Sequence, residues 1–263
     1  MRKGALGLIL LFSILLLISV YAEEITVDSN LQTVDKDTPF FKRSQENELG
    51  VQCPLKMVKL TNCPQIKVPP KVEAAVLYYG EIKLGSPLQT YGIIVDFEGK
   101  NKGLWVDSNG DGDFSREKFY QIFQSDRYPG VNVYYSPEPL LFQVTYSLST
   151  GDFKIPLQFD LLFLLISRVG HDDRFYLRNR TWLTGSIEDN GEELRVALVD
   201  TNDNGNYNDP EDLFFVDQNY DLNFDAKEGK ELKRADTIKL KSKARYKVNF
   251  QFLPQKLILE GKR

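Results

Sequence analysis

From residue 72 to the C-terminus, short runs of Val, Ile, Tyr, Phe and Leu recur, each closed by Gly, Asn, Asp or Pro. This punctuation constrains the fold more than any other feature. VEAAVLYYGEIKLG, YGIIVDF, GLWVD, KFYQIF and VNVYY come first, followed by PLLFQVTYSLSTGDFKIPLQF, DLLFLLIS, RVALVD, DLFFVD, DTIKLKS and ARYKVNFQFLPQKLILE. Runs of this length, rich in β-branched and aromatic residues and bounded by turn formers, read as strands. The sixth reads as a hairpin turning at Ser149–Asp152. DLLFLLIS (160–167) fits a buried strand or one helical segment, and its periodicity does not separate the two. No long amphipathic helix with clear caps is present, so the chain is expected to be mainly β.

The runs carry an internal repeat. Tyr79-Gly80-Glu81-Ile82 matches Thr184-Gly185-Ser186-Ile187, IIVDF (93–97) matches ALVDT (197–201), and LWVDSNGDGDFS (104–115) matches FFVDQNYDLNFD (214–225). GKNKG (99–103) stands where the second copy has the longer NDNGNYNDPED (202–212). Two related, sandwich-like β halves follow, residues 71–170 and 171–263.

The N-terminus differs. MRK is a short positive start, GALGLILLFSILLLISV is apolar, and Val20 and Ala22 are small residues before Glu23. This is the pattern of a secretory signal peptide cleaved near Ala22; the competing reading is a retained anchor, for which the run is near the lower length limit. Cleavage leaves 241 of the 263 residues and, by removing Arg2 and Lys3, moves the net charge from −4 to −6. Such acidity argues against a nucleic-acid partner, which wants a basic face, and no stable membrane span is expected after cleavage. The reading places the protein outside the cytoplasm, secreted or in the periplasm or cell envelope. Residues 23–50 are polar and weakly periodic and read as a loose arm, which together with 51–70 carries Cys53 and Cys63. In an oxidising compartment these two are expected to pair, for about 3 kcal/mol on the chain-entropy account.

Three acidic loops hold the candidate chemistry. A twelve-position calcium loop takes oxygen ligands from positions 1, 3, 5, 7 and 9, a Gly at 6 and an acid at 12, because a hard cation wants six to eight oxygens. The first loop supplies Asp107, Asn109, Asp111, Asp113 and Ser115 with Gly112 at the turn. Position 12 is Lys118, so Glu117 is the expected substitute. The second supplies Asp200, Asn202, Asn204, Asn206 and Asn208 with Gly205, and Glu211 at position 12. The third supplies Asp217, Asn219, Asp221, Asn223 and Asp225, with Glu228 at 12 and Leu222 where glycine is wanted. The competing reading is a set of turns, which favour the same residue types.

The pattern resembles the DxDxDG loops of EF-hand and dockerin-like repeats, and the VDxNGDGxF repeats of exported bacterial proteins. The resemblance covers the loops only. GLWVD, ELRVALVD and DLFFVD lead into them as strands, where an EF-hand needs helices. Calcium loops at strand ends are therefore expected, with Ca²⁺ as the cofactor.

Little else points to catalysis. His171 is the single histidine, beside Asp172 and Asp173, and neither a GxSxG elbow nor a phosphate loop occurs. Trp105 and Trp182 fit a sugar-binding face or, more simply, sheet packing. Asn179-Arg180-Thr181 matches a glycosylation sequon. The sequence reads as a non-enzymatic, calcium-binding binding or structural module whose partner would be a surface glycan or an envelope protein. The alternative is a polysaccharide-active hydrolase with structural calcium, since paired carboxylates can meet in space.

Overall fold

The computed structural model describes residues 23–28, 30–33, 51–59, 63–67, 69–70, 76–97, 99–126, 132–166, 173–189, 191–219, 229–232, 236–241, 245–253 and 256–261. The strands are, in chain order, β1 (Glu23–Asp28), β2 (Asn30–Thr33), β3 (Val51–Lys59), β4 (Val76–Leu84), β5 (Gln89–Asp96), β6 (Gly103–Val106), β7 (Phe119–Gln121), β8 (Phe123–Gln124), β9 (Asn132–Tyr135) and β10 (Leu140–Leu148). Then follow β11 (Gly151–Ile166), β12 (Arg174–Asn179), β13 (Thr181–Asp189), β14 (Glu192–Val199), β15 (Leu213–Asp217), β16 (Gly229–Leu232), β17 (Thr237–Lys239), β18 (Arg245–Leu253) and β19 (Lys256–Gly261). The only helical element among the described residues is a 3-10 turn at Phe114–Arg116. The fold is thus mainly β, as the strand punctuation implies.

The largest sheet has ten strands in the order β7-β6-β5-β4-β3-β12-β11-β9-β8, with β10 also paired to β11. Its two ends, β7 and β8, are separated in the chain by Ile122 alone, so the sheet curls back on itself into a nearly closed barrel. Closure suits an antiparallel sheet because it removes exposed edges. Residues 160–166 of DLLFLLIS are strand, the second half of β11, with a register shift between Leu161 and Phe163 where partner strands change. The β10–β11 hairpin turns where the sequence places it, with Leu148 opposite Gly151.

A five-stranded sheet, β16-β15-β14-β13-β2, and a four-stranded sheet, β1-β19-β18-β17, complete the fold. The expected loose arm is partly structured: β1 pairs along β19 from Glu23↔Gly261 to Asp28↔Lys256, and β2 pairs with β13. Its polar sequence hides this, because both strands are edges whose partners lie far along the chain. Residues 34–50 lie outside the described residues.

Two antiparallel three-strand meanders, β4-β5-β6 and β13-β14-β15, share one register. Tyr79, Ile94 and Trp105 stand side by side in the first, and Thr184, Ala197 and Phe215 in the second. Their neighbours Gly80, Ile93 and Val106 correspond to Gly185, Val196 and Val216. The registers set Ile94 against Ala197, one residue earlier than the alignment of IIVDF with ALVDT. Because strand side chains alternate between faces, both meanders turn the same face inward. Ile82, Ile93, Val95, Leu104 and Val106 of the first join Ile187, Val196, Leu198, Phe214 and Val216 of the second in one continuous core.

The other face of the first meander carries a separate cluster of Cys63, Ile66, Leu77, Ile94, Trp105 and Phe114. This placement overturns the expected disulfide. Cys53 and Cys63 are both buried free thiols. Cys53 faces the main core and Cys63 the cluster on the opposite side of the sheet, so the sheet itself separates them. Burial pushes the Cys53 thiol up to about 12, and Cys63 Sγ donates to Gln65 Oε1 at 3.3 Å.

Candidate functional site

The first acidic loop leaves β6 at Asp107. This residue is 4% exposed, and its carboxylate organises the turn: Oδ1 accepts from the Asp111 N–H at 3.0 Å and Oδ2 from the Gly112 N–H at 2.8 Å. Each odd position then braces the amide two residues on. Asn109 Oδ1 accepts from Asp111 N–H (2.9 Å), Asp111 Oδ1 from Asp113 N–H (2.7 Å), and Asp113 Oδ1 from Ser115 N–H (2.9 Å). Short side chains that bond their own backbone are what permits so tight a curl. Gly110 and Gly112 take φ of 74° and 80°, the left-handed region open to glycine. The eighth position, Phe114, drops into the cluster around Trp105, which it anchors. Glu117 folds back, and its Oε1 accepts from Ser108 N–H and Oγ, each at 3.1 Å. The Glu117 carboxylate closes the loop next to Asp107 and Asp111, whose charges act on it.

The second loop, between β14 and β15, has the same construction. Asp200 Oδ1 accepts from Asn204 N–H (3.2 Å) and Oδ2 from Gly205 N–H (2.7 Å). Asn202 Oδ1 accepts from Asn204 N–H (3.1 Å), Asn204 Oδ1 from Asn206 N–H (2.6 Å), and Asn206 Oδ1 from Asn208 N–H (3.3 Å). Positive φ falls at the same two places, Asp203 (59°) and Gly205 (73°). The eighth position is Tyr207, fully buried, its hydroxyl donating to Thr181 O at 2.8 Å. The acid that closes this loop is Asp212, not Glu211. Asp212 Oδ1 accepts from Thr201 N–H at 3.1 Å, as Glu117 does from Ser108, while Glu211 is exposed and accepts from Asn202 Nδ2 at 3.1 Å. The sequence template fixes position 12 by counting from a helical loop; here a 3-10 turn precedes Glu117 and irregular turns precede Asp212, and the closing acid sits at whichever residue returns to the Ser108 or Thr201 amide.

The loops differ at their centres. In the second, Asp209 takes the side-chain amides of Asn202 (2.8 Å), Asn204 (2.6 Å) and Asn206 (2.5 Å). In the first, only Asn109 brings such an amide, to Asp111 Oδ2 at 2.9 Å. Among the described residues no donor reaches Asp113 Oδ2 or Glu117 Oε2. Of the third loop, Asp217 ends β15 and is buried, and Asn219 is exposed; Asp221, Asn223, Asp225 and Glu228 lie outside the described residues. Among the described residues, no three His, Cys, Asp or Glu side chains converge in a geometry that would by itself hold a metal.

Charge is held at a cost in both loops. Burial pushes the Asp107 carboxyl above its usual range, opposed by the Gly112 and Asp111 amides. Burial likewise raises Glu117. Asp113 is lowered by its bonds to Ser115. In the second loop burial raises Asp200 to about 6, and burial with the neighbouring Asp200 charge raises Asp212 to about 8.

His171 and Asp172 lie outside the described residues. Trp105 packs beneath the first loop, 9% exposed and 4.8 Å between centroids from Phe119, so it serves the sheet and not an open face. Asn179 of the sequon spends its Nδ2 on Asp200 Oδ2 (2.8 Å) and the Tyr207 hydroxyl (3.2 Å). Compared with protein-family models, with curated proteins and with solved structures, the chain matches none.

Proposed function

We propose that the protein is an exported β module stabilised by calcium at the 107–117 loop, serving a binding or structural role at the cell envelope and not catalysis. The observation that carries this reading is the construction of that loop. Asp107, Asp111, Asp113 and Glu117 crowd one curl of chain whose backbone amides are already spent on bracing it. The donors are unevenly spread, leaving Asp113 Oδ2 and Glu117 Oε2 with none among the described residues, and like charges at this spacing favour a bound cation. Asp107, Asp111 and Glu117, with the Asp113 main chain, would hold the ion, whose role is to neutralise their charge. Extracellular calcium modules of this kind bind at roughly 10⁻⁴–10⁻³ M. Export is supported by the N-terminal pattern of a positive start, an apolar run and small residues at Val20 and Ala22. The shared register of the two meanders supports an internal duplication, each copy presenting an acidic loop after its third strand.

Calorimetry with CaCl₂ on the chain beginning at Glu23 tests the reading, alongside the paired substitution Asp107→Ala and Asp111→Ala. Heat of binding in the millimolar range that the substitutions abolish is the expected result. Undiminished binding in the double variant would move the ion elsewhere, and no binding to either would sink the reading.

A further inference from the structure

We infer that the 200–212 loop is not a second ion site but an ion-independent clasp, in which the Asp209 carboxylate fills the centre and the loop fastens the second meander to the barrel. This rests on the calcium reading of the 107–117 loop only for the contrast between the two. Loops with one backbone path can close in two ways. If the inward groups are carboxylates, a cation must join them. If they are asparagine amides, whose oxygens are committed to the backbone, their NH₂ groups point inward and call for an anion.

The second loop is of the latter kind. Asn202, Asn204 and Asn206 each spend Oδ1 on an amide two residues on, which fixes the orientation of Nδ2, and all three Nδ2 groups meet Asp209. Every oxygen of Asp200, Asp209 and Asp212 accepts a bond. Asp200 takes Asn204 N, Gly205 N and Asn179 Nδ2; Asp209 takes the three asparagines; Asp212 takes Thr201 N (3.1 Å) and Asp209 N (3.0 Å). A cation would have to turn the asparagine amides over, breaking the bonds that shape the loop.

The outer surface of the loop is equally committed. Its Asn204 carbonyl accepts from Gly85 N–H (2.9 Å), in the turn between β4 and β5, and its Gly205 carbonyl accepts from the Tyr146 hydroxyl on β10. Asp203 Oδ1 accepts from Asn179 N–H at 2.8 Å, where β12 of the barrel passes to β13 of the meander. A Cβ on Gly205 would lie 3.0 Å from Leu157 Cδ1 of β11. The loop thus touches β10, β11, the end of β12 and the β4–β5 turn. It joins the β13-β14-β15 meander to the barrel.

Native-state hydrogen exchange on the unmodified chain, in EDTA and in millimolar calcium, reads this directly. The Thr201, Asn204, Gly205 and Asp209 amides are expected to be equally protected in both. Melting of Asp209→Ala and the milder Asp209→Asn supplies the second measurement, with a fall of several degrees, on the order of that from losing buried hydrogen bonds, the same with and without calcium. Protection that appears only with calcium, or calcium rescue of the Asp209 variants, overturns the inference while leaving the calcium reading intact. If calcium binds nowhere but the protection and the melting shift stand, the clasp holds and the reading of the 107–117 loop falls.

Discussion

Asp200 offers the most direct quantitative test of these loops, because its charge is set against burial with no cationic side chain among the groups that act on it most strongly. Its carboxyl stands at about 6 in the folded protein against 3.8 in a solvated one. A raised folded value means that the native state holds the proton more tightly than the unfolded chain does. The associated stability is therefore fully present below about pH 4 and is lost as pH rises through 6. At 1.36 kcal/mol for each unit, the loss amounts to about 3 kcal/mol by pH 8, or roughly 6–12 °C for a domain of this size. Asp212, raised further, extends the decline in the same direction toward pH 8. The perturbation is Asp200→Asn, which removes the titration but keeps one acceptor for the Asn204 amide. Its other atom then faces the Gly205 N–H and Asn179 Nδ2 as a donor, so the variant is weaker than wild type at pH 5. Urea unfolding followed by tryptophan fluorescence, in EDTA from pH 4.5 to 8, gives the two curves. The wild-type curve should fall with pH and the variant's should fall less, so the gap narrows. Parallel curves, or a wild type that grows more stable over this range, would refute the argument from burial.

Other consequences follow from the first loop and the thiols. Phe114→Ala empties a fully buried position under Trp105 and should cost about 3–5 kcal/mol in denaturant midpoint, weakening calcium binding with it. Gly112→Ala should destabilise as well, since φ is +80° and the new Cβ would lie 2.8 Å from Gln65 O; unchanged melting would show that the curl is looser than described. Cys53 and Cys63 should resist a thiol reagent in the native protein and both react on unfolding, and reductant should leave the melting point where it was. A native protein with no titratable thiol even when unfolded would restore the disulfide.

The sequence is most transparent where interactions are local. Alternating apolar runs and their turn residues locate the strands, the β10–β11 hairpin and both curls, because each is stabilised by neighbours along the chain. β1 and β2 escape notice since their stability comes from Leu257–Gly261 and from β13, more than a hundred residues away. Cys53 and Cys63 mislead for a related reason: ten residues apart in sequence, they lie on opposite faces of one sheet, which only the register of β3 with β4 reveals. Asp212 and Asp209 are missed because a ligand template ranks residues by count. Their roles depend on where the turns at 207–211, with Pro210 among them, return the chain.

The contrast between the loops rests on one side-chain atom at each of two positions and on Asp209, whose place in the first loop is taken by Arg116. Asp111 and Asp113 stand where Asn204 and Asn206 stand, with the same backbone bonds. A carboxylate there leaves a second oxygen where a carboxamide leaves an NH₂, so the charge offered by the loop follows from the choice. Exchanging the choice should exchange the behaviour. A triple variant of the second loop, Asn204→Asp, Asn206→Asp and Asp209→Asn, removes the central anion and two of its donors while adding two inward carboxylates around Asp200 and Asp212. In an Asp107→Ala, Asp111→Ala background it should be strongly destabilised in EDTA, as buried like charges repel, and its melting point should rise with millimolar calcium where the background alone shows no shift. A triple variant that melts at one temperature with and without calcium would mean that the loop's seat on Tyr146, Gly85 and Asn179, and not the atoms at its centre, decides whether an ion can enter.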